Sequence, residues 1–328
     1  MKIAVIGDGG WGTATALLLH GYGHDVTVWG PFPDYIDEIR TTHLNPRYLK
    51  GVEVPEGIKW TADRAAAVEG AEIIVLALTS KFYGAVCESF RGLIAPDTLV
   101  VSLTKGLCEQ THVRMSELAQ RILGIRRVVV LSGPSHAEEV ARGIPTTVVA
   151  ACTDLDAARR VQEVWSGPKF RVYTSDDPVG VEIGGATKNV IAVAVGASDG
   201  LGFGDNTRAA LITRGLAEIA RFAAALGAKP QTVYGLSGVG DLIVTCTSVH
   251  SRNHSVGERL GRGEKMADVL GSMQMVAEGV WNAKVIVGMA RELGVEMPIT
   301  ELVCRLCYED YPAQDAITTL MGRGLKGE

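Results

Sequence analysis

Three groups of residues in this chain have types and spacings that could do chemistry. The first is Gly7-Asp8-Gly9-Gly10-Trp11-Gly12, a G-x-G-x-x-G pattern. Between a strand and a helix, such a pattern cradles a pyrophosphate. Gly7 permits the tight turn, Gly9 lets the backbone approach the anion, and Gly12 allows close helix–strand packing. Amide N–H groups at the helix start then face the negative charge. The second group lies in Glu182-Ile183-Gly184-Gly185-Ala186-Thr187-Lys188-Asn189-Val190. Lys188 and Asn189 interrupt an apolar helical run, so one of them should be at least partly buried. Burying a lysine requires a partner and lowers its pKa, which makes it a usable proton donor or acceptor. The competing reading is a lysine that snorkels to solvent. The third group is Asp241, which follows the glycine-rich turn 235–240, with Thr245 and Ser251-Arg252-Asn253 after it. Asp241 could orient a catalytic lysine. Arg252 and Asn253 offer donors to a phosphate, and arginine's planar fork fits oxyanions.

These groups need elements to hold them. Short β-branched runs at 2–6, 25–29, 73–78, 99–103, 128–131, 146–150 and 170–173 read as strands buried on both faces. Helical spacing appears between them, as at 13–20 and 113–123. Alternating β and α predicts an α/β, Rossmann-type, doubly wound parallel sheet. Beyond Asp176-Asp177-Pro178 the strand signals stop. Residues 179–198, 206–226, 266–270 and 277–293 read as helices, with Gly227 and Gly294 as terminators. The expected organisation is a dinucleotide-binding domain over 1–177 and an all-α substrate-binding domain over 178–328.

Ligands of open α/β sheets bind beyond the carboxyl ends of the strands. Thr79-Ser80-Lys81, Thr104-Lys105-Gly106 and Ser132-Gly133-Pro134-Ser135 follow three of the expected strands. Lys105 is therefore either a site lysine or a solvated one. Ser135-x-x-Glu138 reads as a capping box, which is compatible with ligand binding. At the position that reads the ribose, Val28-Trp29-Gly30-Pro31 offers neither acid nor arginine, and Asp34 comes a few residues later. The residues leave NAD and NADP both open. The stretch 196–206 reads as a glycine-dense loop between two long helices, able to permit a tight crossing.

Composition removes other classes. The 328 residues include 39 glycines, about 12% against a usual value near 7%. With 47% hydrophobic residues the chain can build a core, so the surplus glycine belongs in turns, close packing or backbone held against a ligand. A net charge of −5 argues against a general nucleic-acid binder. No apolar run reaches the ~18 residues of a membrane helix, and the N-terminus does not read as a signal peptide. Six cysteines in a chain of this length are not a disulfide framework, so a reducing cytoplasm is the expected compartment. Cys304-x-x-Cys307 lacks a second pair, and His250 and His254 lack a third ligand, so no metal site is expected.

Taken in order, these motifs resemble the bacterial NAD(P)-dependent glycerol-3-phosphate dehydrogenases. The resemblance runs over nearly the whole chain. It includes Gly7, Trp11 and Gly12, Thr104-Lys105-Gly106, Gly133-Pro134-Ser135, the run from Glu139 to Thr146, the stretch 184–205, Gly240-Asp241-Leu242, Ser251-Arg252-Asn253 and Ala277-Glu278-Gly279-Val280. It implies interconversion of dihydroxyacetone phosphate and sn-glycerol 3-phosphate in the cytoplasm, supplying phospholipid synthesis. It places the proton donor on Lys188, a second active-site lysine on Lys105, and the orienting acid on Asp241 with Thr245 nearby. Substrate contacts fall on Lys105, Gly133, Ser135, Lys188, Asn189, Asp241, Ser251, Arg252 and Asn253. Cofactor contacts fall on Gly7, Gly9, Gly10, Trp11, Gly12, Tyr48, Lys105, Ala137, Arg252, Val276 and Glu278. Two departures stand out. Gly10 replaces the family's frequent serine, and Pro31 stands where members commonly carry arginine, which favours NAD over strict NADP use. Rival readings are another two-domain β-hydroxyacid dehydrogenase, or a nucleotide-sensing protein that lost catalysis. Homodimerisation through glycine-rich helix crossings is an arrangement the sequence allows.

Overall fold

The computed structural model describes residues 1–273 and 277–325, together with Gly327. The chain divides into two compact units, Met1–Glu182 and Ile183–Glu328.

The first unit contains ten strands: β1 (Lys2–Ile6), β2 (Asp25–Trp29), β3 (Leu44–Asn45), β4 (Leu49–Glu53), β5 (Lys59–Thr61), β6 (Ile73–Leu76), β7 (Leu99–Ser102), β8 (Val128–Ser132), β9 (Thr146–Ala151) and β10 (Phe170–Ser175). Eight of them form one sheet in the order β10-β9-β8-β7-β6-β1-β2-β5, and β3 and β4 pair separately. The apolar runs are continuous because both faces are covered. Ile3, Val5, Ile73 and Val75 enter one core cluster. Their chain neighbours Ala4, Ile6, Ile74 and Leu76 enter the other. Each such Ile or Val contributes roughly 1.5–3 kcal/mol by leaving water.

The sheet is parallel except at one joint, where β8 and β9 run antiparallel. This corrects the all-parallel expectation. The helix between them, Ala137–Ala141, has five residues. At 1.5 Å per residue it rises only about 7.5 Å, too little to recross a strand, so the chain returns antiparallel. The longer helix Leu155–Trp165 does recross, and β10 pairs parallel with β9. Strand order reverses between β1 and β6, which creates a crevice at their carboxyl ends.

Among its described residues the second unit is helical only. Its helices include Asp205–Ala225, Asp241–Thr247, Arg252–Gly261, Glu278–Glu292 and Pro298–Tyr308. Gly227 and Gly294 take positive φ directly after helix ends, as the sequence suggests. One helix, Pro178–Gly200, begins in the first unit and continues through the second. Contrary to the run-length estimate, it is long and apolar enough to span a bilayer, but 89% of its apolar window is buried inside the protein. It is the core helix of its unit. Gly196 and Gly200 lie within it rather than in a loop, which corrects the reading of 196–206.

Gly196 and Gly200 explain how the neighbouring helix Arg252–Gly261 approaches. A Cβ on Gly196 would stand 2.0 Å from the His254 carbonyl oxygen, and one on Gly200 would stand 2.1 Å from that of Glu258. The contact is reciprocal. Gly257 meets the Val193 carbonyl at 2.0 Å and Gly261 that of Ala197 at 2.2 Å. Two Gly-x-x-x-Gly ridges thus bring the helices into backbone contact.

Candidate active site

The strand–turn–helix at the start of the first unit has the shape its glycines imply. Gly7 sits at φ +124°, and a Cβ there would fall 2.3 Å from the Ala77 carbonyl oxygen at the end of β6. A Cβ on Gly12 would fall 2.0 Å from the Gly7 carbonyl oxygen, so the helix Gly10–Gly21 starts hard against the strand end. Beside Gly9, by contrast, nothing lies within 4 Å. The opening and the helix's first amides fit a pyrophosphate.

Asn45, which the sequence reading missed, organises this turn. Its fully buried side chain donates to the Asp8 carbonyl and the Thr13 hydroxyl, both at 2.8 Å. Its Oδ1 accepts from Tyr35 Oη and from the Tyr48 amide. Tyr48 is thereby held against the glycine turn, where its carbonyl oxygen would be 2.6 Å from a Cβ on Gly10. The same absent Cβ would lie 3.7 Å from Ala137. A side chain at position 10 would require the Tyr48 backbone to shift. Trp11 is half-buried on the adjoining core.

Asp8 was also missed. It is 8% exposed, and its Oδ2 is buried with no hydrogen-bond partner among the described residues. Burial pushes its carboxyl up from 3.8 to about 6, against the smaller pull of Arg47. The folded chain therefore holds this proton more tightly than the unfolded chain does. The associated stability is present below about pH 4 and lost as pH rises through about 6. Asp8→Asn should remove that loss, stabilising the ligand-free protein at pH 7.5 by about 3 kcal/mol at most and hardly at all at pH 4. Urea unfolding at the two pH values checks it, and an equal effect at both would sink it.

The ends of β7 and β8 meet at a single carbonyl. Lys105 Nζ donates to Gly133 O at 3.0 Å, and Ser135 Oγ donates to the same oxygen at 2.9 Å. Thr104 Oγ1 donates to Leu78 O at 2.7 Å, linking the ends of β6 and β7. The capping-box reading of Ser135 does not hold. The helix Ala137–Ala141 is preceded by His136, which makes no side-chain cap, and the Ser135 hydroxyl is used by Gly133.

In the second unit, Lys188 is buried at 5% exposure, with its Nζ 2.6 Å from Asp241 Oδ1 and 2.6 Å from Thr245 Oγ1. Thr245 donates in turn to the Asp241 backbone carbonyl at 2.6 Å. Asp241 and Thr245 are 1% and 3% exposed, so the ion pair is closed off from bulk water. Asp241 begins its helix directly after a π-helical turn, Leu236–Gly240, a local irregularity frequent at functional sites. The neighbouring Cys246 thiol is pushed up to about 12 by burial, so it stays protonated and unreactive.

Arg252 is exposed at the first position of the helix Arg252–Gly261, whose N-terminus Ser251 caps by accepting from the His254 amide. A guanidinium beside first-turn amides suits a phosphate. Asn253 Nδ2 donates to Asn189 Oδ1 at 3.0 Å, and Asn253 Oδ1 accepts from the Gly279 amide at 2.8 Å. These amides join the helices that carry Lys188, Arg252 and Glu278. His254 bonds Asp199 at 2.7 Å, and Arg208 also bonds Asp199. Sequence reasoning had not found Asp199 or Arg208. Among the described residues no three His, Cys, Asp or Glu side chains are grouped to hold a metal. Val276 lies outside the described residues.

Comparison with known proteins accounts for both halves. Residues 2–158 match the family model for the NAD-dependent glycerol-3-phosphate dehydrogenase N-terminus, and residues 177–318 match that for its C-terminus. A glycerol-3-phosphate dehydrogenase [NAD(P)+] of Listeria monocytogenes serotype 4a is 46% identical across all of this chain and 98% of its own. The protein of that name from Geobacillus kaustophilus is 50% identical across all of this chain and 96% of its own. A crystal structure of glycerol-3-phosphate dehydrogenase from Coxiella burnetii superposes with a TM-score of 0.95 at 38% identity, over 98% of this chain and 99% of that one. With each half matched and relatives aligned end to end, the chain belongs to the NAD-dependent glycerol-3-phosphate dehydrogenase family.

Proposed function

We propose that this chain is an NAD(P)-dependent sn-glycerol-3-phosphate dehydrogenase, reversibly reducing dihydroxyacetone phosphate in the cytoplasm and supplying glycerol phosphate for phospholipid synthesis. One observation carries the chemistry: a buried lysine bonded to a buried aspartate and threonine. On this reading residues 1–177 hold the nucleotide and 178–328 hold the substrate. The bound nucleotide supplies the hydride. Lys188 holds the proton destined for the substrate's C2 oxygen, and Asp241 and Thr245 fix its Nζ in position. Lys105 adds positive charge where alkoxide character develops. Arg252 anchors the phosphate and so fixes which carbonyl face reacts. The lysine–aspartate pair and the full-length family match weigh against both rivals, a β-hydroxyacid dehydrogenase and a catalytically silent nucleotide sensor.

NADH oxidation on adding dihydroxyacetone phosphate tests the assignment, with a panel of 2-oxoacids as control. Turnover of the panel without the phosphate ester would overturn it. Arg252→Ala should raise KM for the phosphate ester roughly 10- to 100-fold, with a smaller change in kcat. An unchanged KM would remove Arg252 from the phosphate site.

A further inference from the structure

We infer that Asp8 supplies the negative charge missing from the end of β2, and thereby selects a dinucleotide with a free ribose 2′-hydroxyl over one with a 2′-phosphate. The inference rests on the dinucleotide reading of the glycine turn. In dinucleotide-binding folds the ribose is read by an acid about 20 residues beyond the turn, at the end of the second strand. Here Gly30 and Pro31 occupy that place. Gly30 cannot carry a reader, and the structure shows what stands in its stead. A Cβ at position 30 would fall 2.5 Å from Asp8 Oδ2 and 2.7 Å from Asp8 Cγ. The Asp8 carboxyl therefore lies over the end of β2, although it is attached to the turn after β1.

The surroundings leave this charge little else to serve. Ile36 closes the other side, with its Cδ1 2.7 Å from the same absent Cβ. The buried Oδ2 has no hydrogen-bond partner among the described residues. The charged and titratable groups that face the carboxyl are Arg47, from the β3–β4 connection, and Tyr35, from the helix Pro33–Thr42. Arg47 stacks on the Tyr35 ring at 4.1 Å and is itself exposed, so water screens its pull on Asp8. With the carboxyl's titration raised to about 6, it is ionised for the most part at pH 8 and neutral for the most part at pH 5. A ribose 2′-hydroxyl can donate to it. A 2′-phosphate meets like charge in a poorly hydrated setting.

The test is nucleotide binding without substrate, followed by tryptophan fluorescence or calorimetry, for NADH and NADPH from pH 5 to 8. The natural chain should bind NADH roughly 10- to 100-fold more tightly than NADPH at pH 8. The isosteric change Asp8→Asn should collapse that ratio to within a few-fold, chiefly by tightening NADPH. The ratio should also fall more steeply towards pH 5 in the natural chain than in Asp8→Asn, which controls for titration of the 2′-phosphate itself. Should Asp8→Asn fold poorly, Asp8→Ala serves as the uncharged reference for both the ratio and its pH dependence. An unchanged ratio in Asp8→Asn, or NADPH preference in the natural chain, overturns the role of Asp8 and leaves the dinucleotide site intact. Failure of the natural chain to bind either nucleotide overturns both.

Discussion

Lys188→Ala should lower kcat for dihydroxyacetone phosphate reduction by about a thousandfold, within the 10²–10⁴ range of positioned acid–base groups. NADH affinity should not change, because Lys188 is not among the residues assigned to the nucleotide. The substitution also leaves Asp241 buried at 1% exposure without its ammonium partner. Stability must therefore be measured alongside activity, so that a folding defect is not read as lost chemistry. Lys188→Arg separates the two. It keeps the positive charge for Asp241, yet a guanidinium does not release its proton in the working pH range. The arginine variant should thus recover part of the stability and almost none of the turnover. A kcat within tenfold of the natural enzyme in the alanine variant would remove Lys188 from proton transfer.

Asp241→Ala should destabilise the protein by about 3–5 kcal/mol, since it leaves the buried Lys188 ammonium without its carboxylate partner. Replacing both partners by apolar residues of similar volume tests this more sharply. The double change Lys188→Met with Asp241→Leu should recover most of the stability while remaining inactive, because a buried ion pair contributes little once both charges are gone. Urea denaturation of the two single variants and the double variant closes the cycle. Additive losses would mean that the 2.6 Å contact carries no coupling.

The parts legible in the sequence were those where one physical demand dominated. Strands covered on both faces must be apolar throughout, so β1, β2 and β6 to β9 left plain runs, while the edge strand β10 alternates buried and exposed residues. Strands β4 and β5 did not. Most of Leu49–Glu53 is exposed or half-exposed, and Lys59–Thr61 has three residues. The reversed direction of β9 leaves no mark in composition, since an antiparallel neighbour buries the same residues. Lys188 showed itself as a charge in an apolar helix, and its pairing with Asp241 brings together two positions the sequence had singled out separately. Asp8 and Asn45 were invisible because what matters is where a side chain arrives after a turn, not its spacing along the chain. The stretch 196–206 looked like a loop because its glycines signal flexibility in isolation, whereas two of them sit under a neighbouring helix backbone.

That helix contact also bears on what the enzyme can accept. Lys188 and Arg252 stand on the two helices that touch backbone to backbone through Gly196, Gly200, Gly257 and Gly261. On the proposed roles of these two as proton donor and phosphate anchor, the spacing of the helices that carry them is a main-chain dimension. Side-chain repacking cannot stretch it, as it could in a pocket walled by leucines. On that proposal the helix pair would act as a fixed gauge for a three-carbon phosphate. A substrate one methylene longer would have to force two rods apart, and a shorter one would leave an end ungripped. New substrate lengths would have to be engineered at these four glycines rather than at the polar groups that touch the ligand.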